Sequence, residues 1–258
     1  DGKFLASGSY QQGVQVWEVT TGTRRWVGRA QPTRIRCVAW SPDGPSSSPY
    51  SLSPRQGGGS RLASGGEDGS VCLWQASDGI LLQRFQGHRG VVMSVAWSPD
   101  GTRLASGGRG RGGSGEVFVW EVTSGQRLQS WSEPSAIVYA LAWSPTAAVL
   151  LSGGSDGSMR WWDVQSGECV RVQEAHQGAV QSLRVSPDGS TLASCGDDGA
   201  INIWDLQSGE HLRTLRRDRP YERLDISGVK GLTEAQKTTL RALGAMESAP
   251  VPGIQHAP

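Results

Sequence analysis

Residues 192–205 read LASCGDDGAINIWD. A run of small and apolar residues enters a turn with two adjacent carboxylates, Asp197 and Asp198, and an alternating run ending in Trp-Asp leaves it. Residues 62–75 (LASGGEDGSVCLWQ) and 150–163 (LLSGGSDGSMRWWD) repeat this frame, and LASGS (5–9) and LASGG (104–108) repeat its opening. The aligned tryptophans are Trp17, Trp74, Trp120, Trp162 and Trp204, at gaps of 57, 46, 42 and 42 residues. A second segment recurs in step: VAWSPDG (38–44 and 95–101), LAWSPTA (141–147) and LRVSPDG (183–189). The repeat decides the fold. Short alternating strands in units of this length cannot bury both faces alone, so neighbouring units must stack.

Radial stacking of four-stranded units gives an all-β propeller. Within a unit the sequence reads as strand a (VVMSVAW), strand b (RLASGG), strand c (VFVWEV) and strand d (RLQSW). Residue 1 enters at strand b, so the first unit lacks its strand a. From each strand-c Trp, 23 residues lead to the next strand-a Trp or Val, and the same count from Trp204 lands beside Ile226 in RLDIS (223–227), which mimics SLRVS (182–186). Residues 222–228 are therefore expected to close the ring and remove its exposed edges. The expected organisation is a propeller over 1–228 with units at about 1–30, 31–86, 87–132, 133–174 and 175–217. A capping helix over 229–245 and a disordered tail over 246–258 follow. The helix has a capping box, Thr233 with Gln236, a stop at Gly244, and an apolar stripe of Leu240 and Leu243 suited to docking.

Composition narrows the function. The 258 residues hold 25 Lys+Arg against 24 Asp+Glu, a net charge of +1, without the basic excess of a nucleic-acid or membrane-surface protein. Cys37, Cys72, Cys169 and Cys195 form no CxxC pair, which speaks against structural zinc and for a reducing compartment. There is no basic-then-apolar leader, and no apolar run nears the roughly 20 residues that span a bilayer. The expectation is a soluble cytoplasmic protein, and with no initiator Met, a piece of a longer one.

The repeat resembles the WD-repeat family over residues 1–216: Gly87-His88 as the GH dipeptide, DG turns, and Trp162-Asp163 and Trp204-Asp205 closing strand c. That family more often uses seven units than five. The segment from Arg219 through Ala245 resembles the C-terminal ends of large bacterial WD-repeat proteins, whose propeller often follows an NB-ARC- or NACHT-type ATPase. The family likeness also implies a buried tetrad of His, Ser/Thr, turn Asp and strand-c Trp, here His176, Ser194, Asp198 and Trp204. The unit at 87–132 keeps His88, Ser106 and Trp120 but has Ser114 at the Asp position. Ser64, Asp68 and Trp74, and Ser152, Asp156 and Trp162, lack the His, so these three networks are expected to be incomplete and their units less rigid.

Other motifs lose to this frame. His176, Ser194 and Asp198 form a hydrolase trio on paper, but the tetrad claims all three. GGSDG (153–157) fits GxSxG and GRGRGG (108–113) fits GxGxxG, yet each joins two strands where those chemistries need a strand and a helix. Trp40, Trp97 and Trp143 alternate with Val38, Val95 and Leu141 as core between units. No HExxH, Walker motif or His/Cys cluster occurs, so no catalytic residue, cofactor or metal is expected.

The resemblance implies a partner face lined by strand-a entries and by the residue before the turn Asp. Tyr10, Glu67, Ser155 and Asp197 hold the turn positions, and Arg34, Arg36, Met93, Tyr139 and Gln181 are among the entries. Arg109 and Arg111 in a four-residue loop insertion join them, while the Pro/Ser/Gly-rich insertion 45–59 lies opposite. Arg, Tyr and Met suit a protein interface. The function read here is a non-catalytic scaffold or sensor that binds another protein or a domain of the same polypeptide. The alternatives are an enzyme, or oligonucleotide binding through Arg34, Arg36, Arg109 and Arg111.

Overall fold

The computed structural model describes residues 2–10, 13–42, 61–133, 136–216, 224–227 and 229–247. The chain divides into two units, Asp1–Thr214 and Leu215–Pro258. Five antiparallel sheets make up the first. They contain β1 (Phe4–Gly8), β2 (Val14–Glu18) and β3 (Arg24–Gly28); β4 (Ile35–Trp40), β5 (Arg61–Gly66), β6 (Val71–Gln75) and β7 (Leu81–Phe85); β8 (Val92–Trp97), β9 (Arg103–Arg109), β10 (Gly115–Glu121) and β11 (Arg127–Glu133). Two more follow: β12 (Val138–Trp143), β13 (Val149–Gly154), β14 (Ser158–Asp163) and β15 (Cys169–Glu174); and β16 (Val180–Val185), β17 (Thr191–Gly196), β18 (Ala200–Asp205) and β19 (His211–Arg216).

Strand order within each sheet follows the chain, as hairpin-linked neighbours require. The hairpins are set by local chemistry. In the turn after β8, Asp100 accepts from the amide of Thr102 at 3.0 Å while Gly101 takes a left-handed φ of 68°. After β12 the same turn reads Thr146-Ala147, and Ala147 is forced to φ 55°. That conformation crowds its Cβ.

Register places one face of every sheet against the sheet before it. Leu62 pairs with Trp74, Leu104 with Trp120, Leu150 with Trp162 and Leu192 with Trp204, all eight buried. Each Trp packs on the aliphatic face of the preceding sheet: Trp74 joins Val14 and Val16, and Trp120 joins Val71 and Leu73. Innermost strands pack in succession, β1 on β4, β4 on β8, β8 on β12 and β12 on β16. Trp97 and Trp143 add hydrogen bonds across these junctions, to the carbonyls of Ala39 and Ala96, both at 3.0 Å.

Among the described residues the first sheet has three strands. Of the expected closing strand 222–228, residues 224–227 are described, and they make contacts within the second unit. Asp225 bridges Met246 in parallel, and the Ile226 amide donates to the Met246 carbonyl at 2.9 Å. In that unit α1 (Glu234–Ala242) starts from a capping box, with the Gln236 amide on Thr233 Oγ1 at 3.3 Å and the Thr233 amide on Gln236 Oε1 at 2.9 Å. The insertion 45–59 and residues 248–258 of the expected tail lie outside the described residues.

Candidate partner interface

Four buried hydrogen-bond networks hold the b–c turns on which the candidate residues sit. In the last sheet the Trp204 indole donates to Ser194 Oγ at 2.9 Å, and Ser194 Oγ lies 2.8 Å from His176 Nε2. His176 Nδ1 lies 2.9 Å from Asp198 Oδ1, which also accepts from the Ala200 amide at 3.0 Å. The assignment follows from donor inventory: the indole only donates and the carboxylate only accepts, so Nδ1 carries the proton and Nε2 accepts from the serine. Burial alone would raise the Asp198 carboxyl, but the Ala200 amide, the His176 ring and the Gln177 amide outweigh it and hold it below the usual range. Ser194 is buried and its oxygen is engaged on both sides. The same contacts are those the tetrad reading of this trio requires.

The other three networks depart from expectation. In the third sheet Trp120 donates to Ser106 at 2.8 Å and His88 Nε2 lies 2.7 Å from the same oxygen. Ser114 takes no part and bonds to the Arg111 carbonyl, whereas Glu116, on β10, brings Oε2 to 3.4 Å from His88 Nδ1. Glu116 Oε2 also accepts from the Arg89 amide at 3.0 Å. Desolvation pushes His88 down despite Glu116, and the His88 ring, followed by the Arg89 amide, holds Glu116 below the usual carboxylate range.

In the second sheet Gln31 fills the histidine slot. Ser64 accepts from Trp74 at 2.8 Å and donates to Gln31 Oε1 at 2.6 Å. Gln31 Nε2 reaches Ser70 Oγ at 2.9 Å, and Ser70 donates to Asp68 at 2.8 Å. In the fourth sheet Glu133 fills it: Trp162 donates to Ser152 at 2.9 Å, and Ser152 to Glu133 Oε1 at 2.9 Å. Arg160 then links Glu133 Oε2 (2.9 Å) to Asp156 (2.6 Å). Burial pushes the Glu133 carboxyl up in spite of Arg160 and Ser152 beside it. The second and fourth networks therefore run by hydrogen bonds and an ion pair from the tryptophan to an acid, which corrects the expectation that they are incomplete, whereas in the third His88 Nδ1 makes no hydrogen bond and Glu116 stands 3.4 Å away.

These networks engage the turn acid, and the residue before it is half-buried at Glu67 and Ser155 and exposed at Asp197. A second backbone contact fixes that residue beside the entry of strand a. The amide of Glu67 donates to the Arg34 carbonyl (3.0 Å), Arg109 to Val91 (2.9 Å), Ser155 to Ile137 (2.8 Å) and Asp197 to Ala179 (3.1 Å). Around them the side chains differ. Arg36 Nε lies 3.2 Å and Arg34 Nη1 3.7 Å from Glu67 Oε1, and the Arg34 guanidinium sits 5.3 Å from the Tyr10 ring centroid. Gln181 donates to Asp197 at 2.9 Å, and Ser155 Oγ accepts from the Ile137 amide at 2.9 Å. Met93 and Tyr139 are half-buried at strand-a entries, while Arg109 ends β9 and exposed Arg111 opens a short 3-10 turn. The structure thus joins Tyr10, Arg34, Arg36 and Glu67 into one cluster and Gln181 and Asp197 into another. Among the described residues no group of three His, Cys, Asp or Glu could hold a metal ion.

The family model for the WD domain, G-beta repeat, matches residues 23–75, 79–121, 125–163 and 167–205. A WD repeat-containing protein of Schizosaccharomyces pombe is 31% identical over 113 residues, 41% of this chain and 22% of the relative. Nuclear distribution protein PAC1-1 of Uncinocarpus reesii is 32% identical over 116 residues, 42% and 25% of the two chains. The small ribosomal subunit protein RACK1y of Oryza sativa subsp. japonica is 29% identical over 96 residues, 37% and 24%. The chain thus matches a quarter or less of the length of each of these relatives. A chain in the crystal structure of a mitotic checkpoint complex superimposes with a TM-score of 0.68 at 25% identity, covering 84% of this chain and 62% of the other. Repeated sheets, the Trp–Ser–acid networks and a family model that spans most of the five sheets converge, and the chain belongs to the WD-repeat family of β-propeller proteins.

Proposed function

We propose that the chain is a non-catalytic interaction module that binds a protein partner through the face lined by the b–c turns and strand-a entries. The observation that carries this is the fixed backbone at each turn: an amide-to-carbonyl hydrogen bond holds the residue at 67, 109, 155 and 197 beside the strand-a entry, with its side chain wholly or partly at the surface. Chemically the presented set, Tyr10, Arg34, Arg36, Glu67, Met93, Arg109, Arg111, Tyr139, Ser155, Gln181 and Asp197, is rich in residues that anchor interfaces. The oligonucleotide reading is weaker, because Arg34 and Arg36 share the Glu67 carboxylate and present little free positive charge.

The fuller setting follows the C-terminal sequence resemblance: a bacterial NB-ARC- or NACHT-linked propeller working in the cytoplasm. Four free cysteines are consistent with a reducing compartment, and no helix among the described residues is long and apolar enough to cross a membrane. The relatives named above are fungal and plant proteins and lend no support to the bacterial setting.

The test is quantitative affinity enrichment with the purified chain and two charge-reversed variants, Arg36→Glu and Glu67→Arg. Loss of the same set of bound proteins in both, at unchanged melting temperature, is the expected result. Binding untouched by either variant, or robust turnover across a hydrolase panel, overturns the reading.

A further inference from the structure

On the face of the b–c turns, the arginines around the second sheet are matched by acid. Glu67 takes Arg34 and Arg36, and Arg84 Nη1 lies 4.0 Å from Asp68. The third sheet differs. Arg89 follows His88 in the loop leading to β8, Arg109 ends β9, and Arg111 opens the 3-10 turn of the β9–β10 hairpin. All three are exposed, and among the described residues none of their guanidinium groups has an ion-pair or hydrogen-bond partner.

The backbone draws them together. A Cβ on Gly90 would collide with the Arg109 carbonyl, so only glycine lets the loop after Arg89 lie against the end of β9. The Arg109 amide in turn donates to the Val91 carbonyl at 2.9 Å. Glu116 is the acid packed at this point, and a Cβ on Gly110 would stand 2.8 Å from its carboxyl carbon. It is buried, and its Oε2 accepts from the Arg89 amide at 3.0 Å and faces His88 Nδ1 at 3.4 Å. Its charge can offset a single arginine. Farther along the hairpin, Gly112 and Gly113 have left-handed φ of 69° and 89°, and a Cβ at either would meet no atom within 4 Å. The tip that carries Arg111 therefore stands clear.

We infer that the partner presents a short acidic segment to the third sheet, its carboxylates pairing with Arg89, Arg109 and Arg111. This deepens the partner-binding reading above and rests on it. The argument is charge complementarity. An arginine fork holds a carboxylate by two parallel hydrogen bonds, and here three forks without a carboxylate of their own sit on one hairpin and the loop beside it. The surroundings favour a protein segment over a nucleic acid, whose backbone carries its charge evenly along its length. In the fourth sheet Arg160 is taken by Glu133 and Asp156, and the turn of the fifth carries Asp197 and Asp198 with no arginine.

Fluorescence anisotropy with a labelled oligoglutamate peptide and the whole chain tests this. Wild type should bind the peptide, bind its oligoglutamine counterpart far more weakly, and lose affinity as salt rises, because the pairs are exposed. Arg89→Gln, Arg109→Gln and Arg111→Gln should each weaken binding about two- to fivefold. Arg109→Glu combined with Arg111→Glu should abolish it at an unchanged melting temperature, since both side chains are exposed. Arg103→Gln, at the opposite end of β9, should bind as wild type does. No binding of oligoglutamate, an equal loss in Arg103→Gln, or an oligodeoxynucleotide of the same length that binds as tightly and competes, overturns the inference. The doubly reversed variant also separates this inference from the reading beneath it. Proteins lost with Arg36→Glu and Glu67→Arg but kept by that variant in affinity enrichment would sink the acidic segment and leave the partner face standing. If no bound protein depends on any of these residues, both fall.

Discussion

Replacing Asp198 by Ala and Asp197 by Ala separates frame from display within one turn. Asp198 accepts from the His176 ring at 2.9 Å and from the amides of Ala200 and Gln177 at 3.0 and 3.3 Å. The His176 side chain has no exposed surface, so water cannot take over as acceptor for its N–H. Leaving such a donor unpaired costs about 1–3 kcal/mol. At about 2–4 °C per kcal/mol for a unit of this size, Asp198→Ala should lower the melting temperature by roughly 2–12 °C. Asp198→Asn keeps an acceptor for the ring and should recover part of the loss. Asp197 is exposed and its side chain touches only Gln181 at 2.9 Å, so Asp197→Ala should stay within about 0.5 kcal/mol of wild type.

The pH dependence adds an independent check. The folded state holds the Asp198 carboxyl below its ordinary value of 3.8, so its contribution is complete above pH 3.8 and disappears as pH falls through the lowered value. The gap between wild type and Asp198→Ala, read from urea melts, should therefore narrow only in strong acid. If Asp197→Ala melts early and Asp198→Ala does not, the assignment of frame and display is refuted.

Three further outcomes follow from the same geometry. His88 is held below its ordinary value of 6.5, so the unfolded chain takes up a proton below pH 6.5 that the folded one refuses, and stability falls from there; urea midpoints for His88→Gln, which places in this slot the residue type that Gln31 supplies to the second sheet, should fall less between about pH 7 and about pH 5.5, a window that spans the ordinary imidazole value. Gln31→Ala leaves the buried Ser64 hydroxyl without its acceptor and should cost about 1–3 kcal/mol by calorimetry, with no loss if that slot is idle. Ala147→Gly relieves the left-handed strain and, after the entropy cost of glycine, should gain up to about 1 kcal/mol in thermal melts.

The sheets were legible because the sequence states their pattern five times. Leu192 and Trp204 alone would fit many strands, whereas the same pair at 62 and 74, 104 and 120, and 150 and 162 leaves one register. The networks were only half legible, for a physical reason. The slot between strands d and a must accept a proton from the serine hydroxyl and connect onward to an acid, and an imidazole nitrogen, an amide oxygen or a carboxylate can all accept. A search for histidine alone passes over Gln31 and Glu133; a search for any acceptor nine or ten residues before the strand-a Trp or Val, as Gln31 precedes Trp40 and Glu133 precedes Trp143, would have found them. Glu116 escaped because the longer β9–β10 hairpin carries the acid past the turn and onto strand β10. The expected closing strand rested on five residues of alternation, too few to fix a partner, and only its residues 224–227 are among those described.

The Asp197–Asp198 pair shows how one repeated turn can be both rigid and variable. At 67, 109, 155 and 197 the same amide-to-carbonyl bond to the strand-a entry recurs at 2.8–3.1 Å, although the side chains are Glu, Arg, Ser and Asp. That bond uses the backbone N–H and no side-chain atom, so every residue type but proline can make it. One residue later at 68, 156 and 198 the carboxylate is spent on Ser70, Arg160 or His176. At Asp198 this closes a buried network, whereas Asp68 and Asp156 are themselves exposed. In the third sheet the acid near the histidine is Glu116, and Arg109 has the same backbone bond, to Val91. The backbone of these turns is thus held by main-chain bonds whatever the side chain, while the side chains pair locally, Glu67 with Arg34 and Arg36 and Asp197 with Gln181.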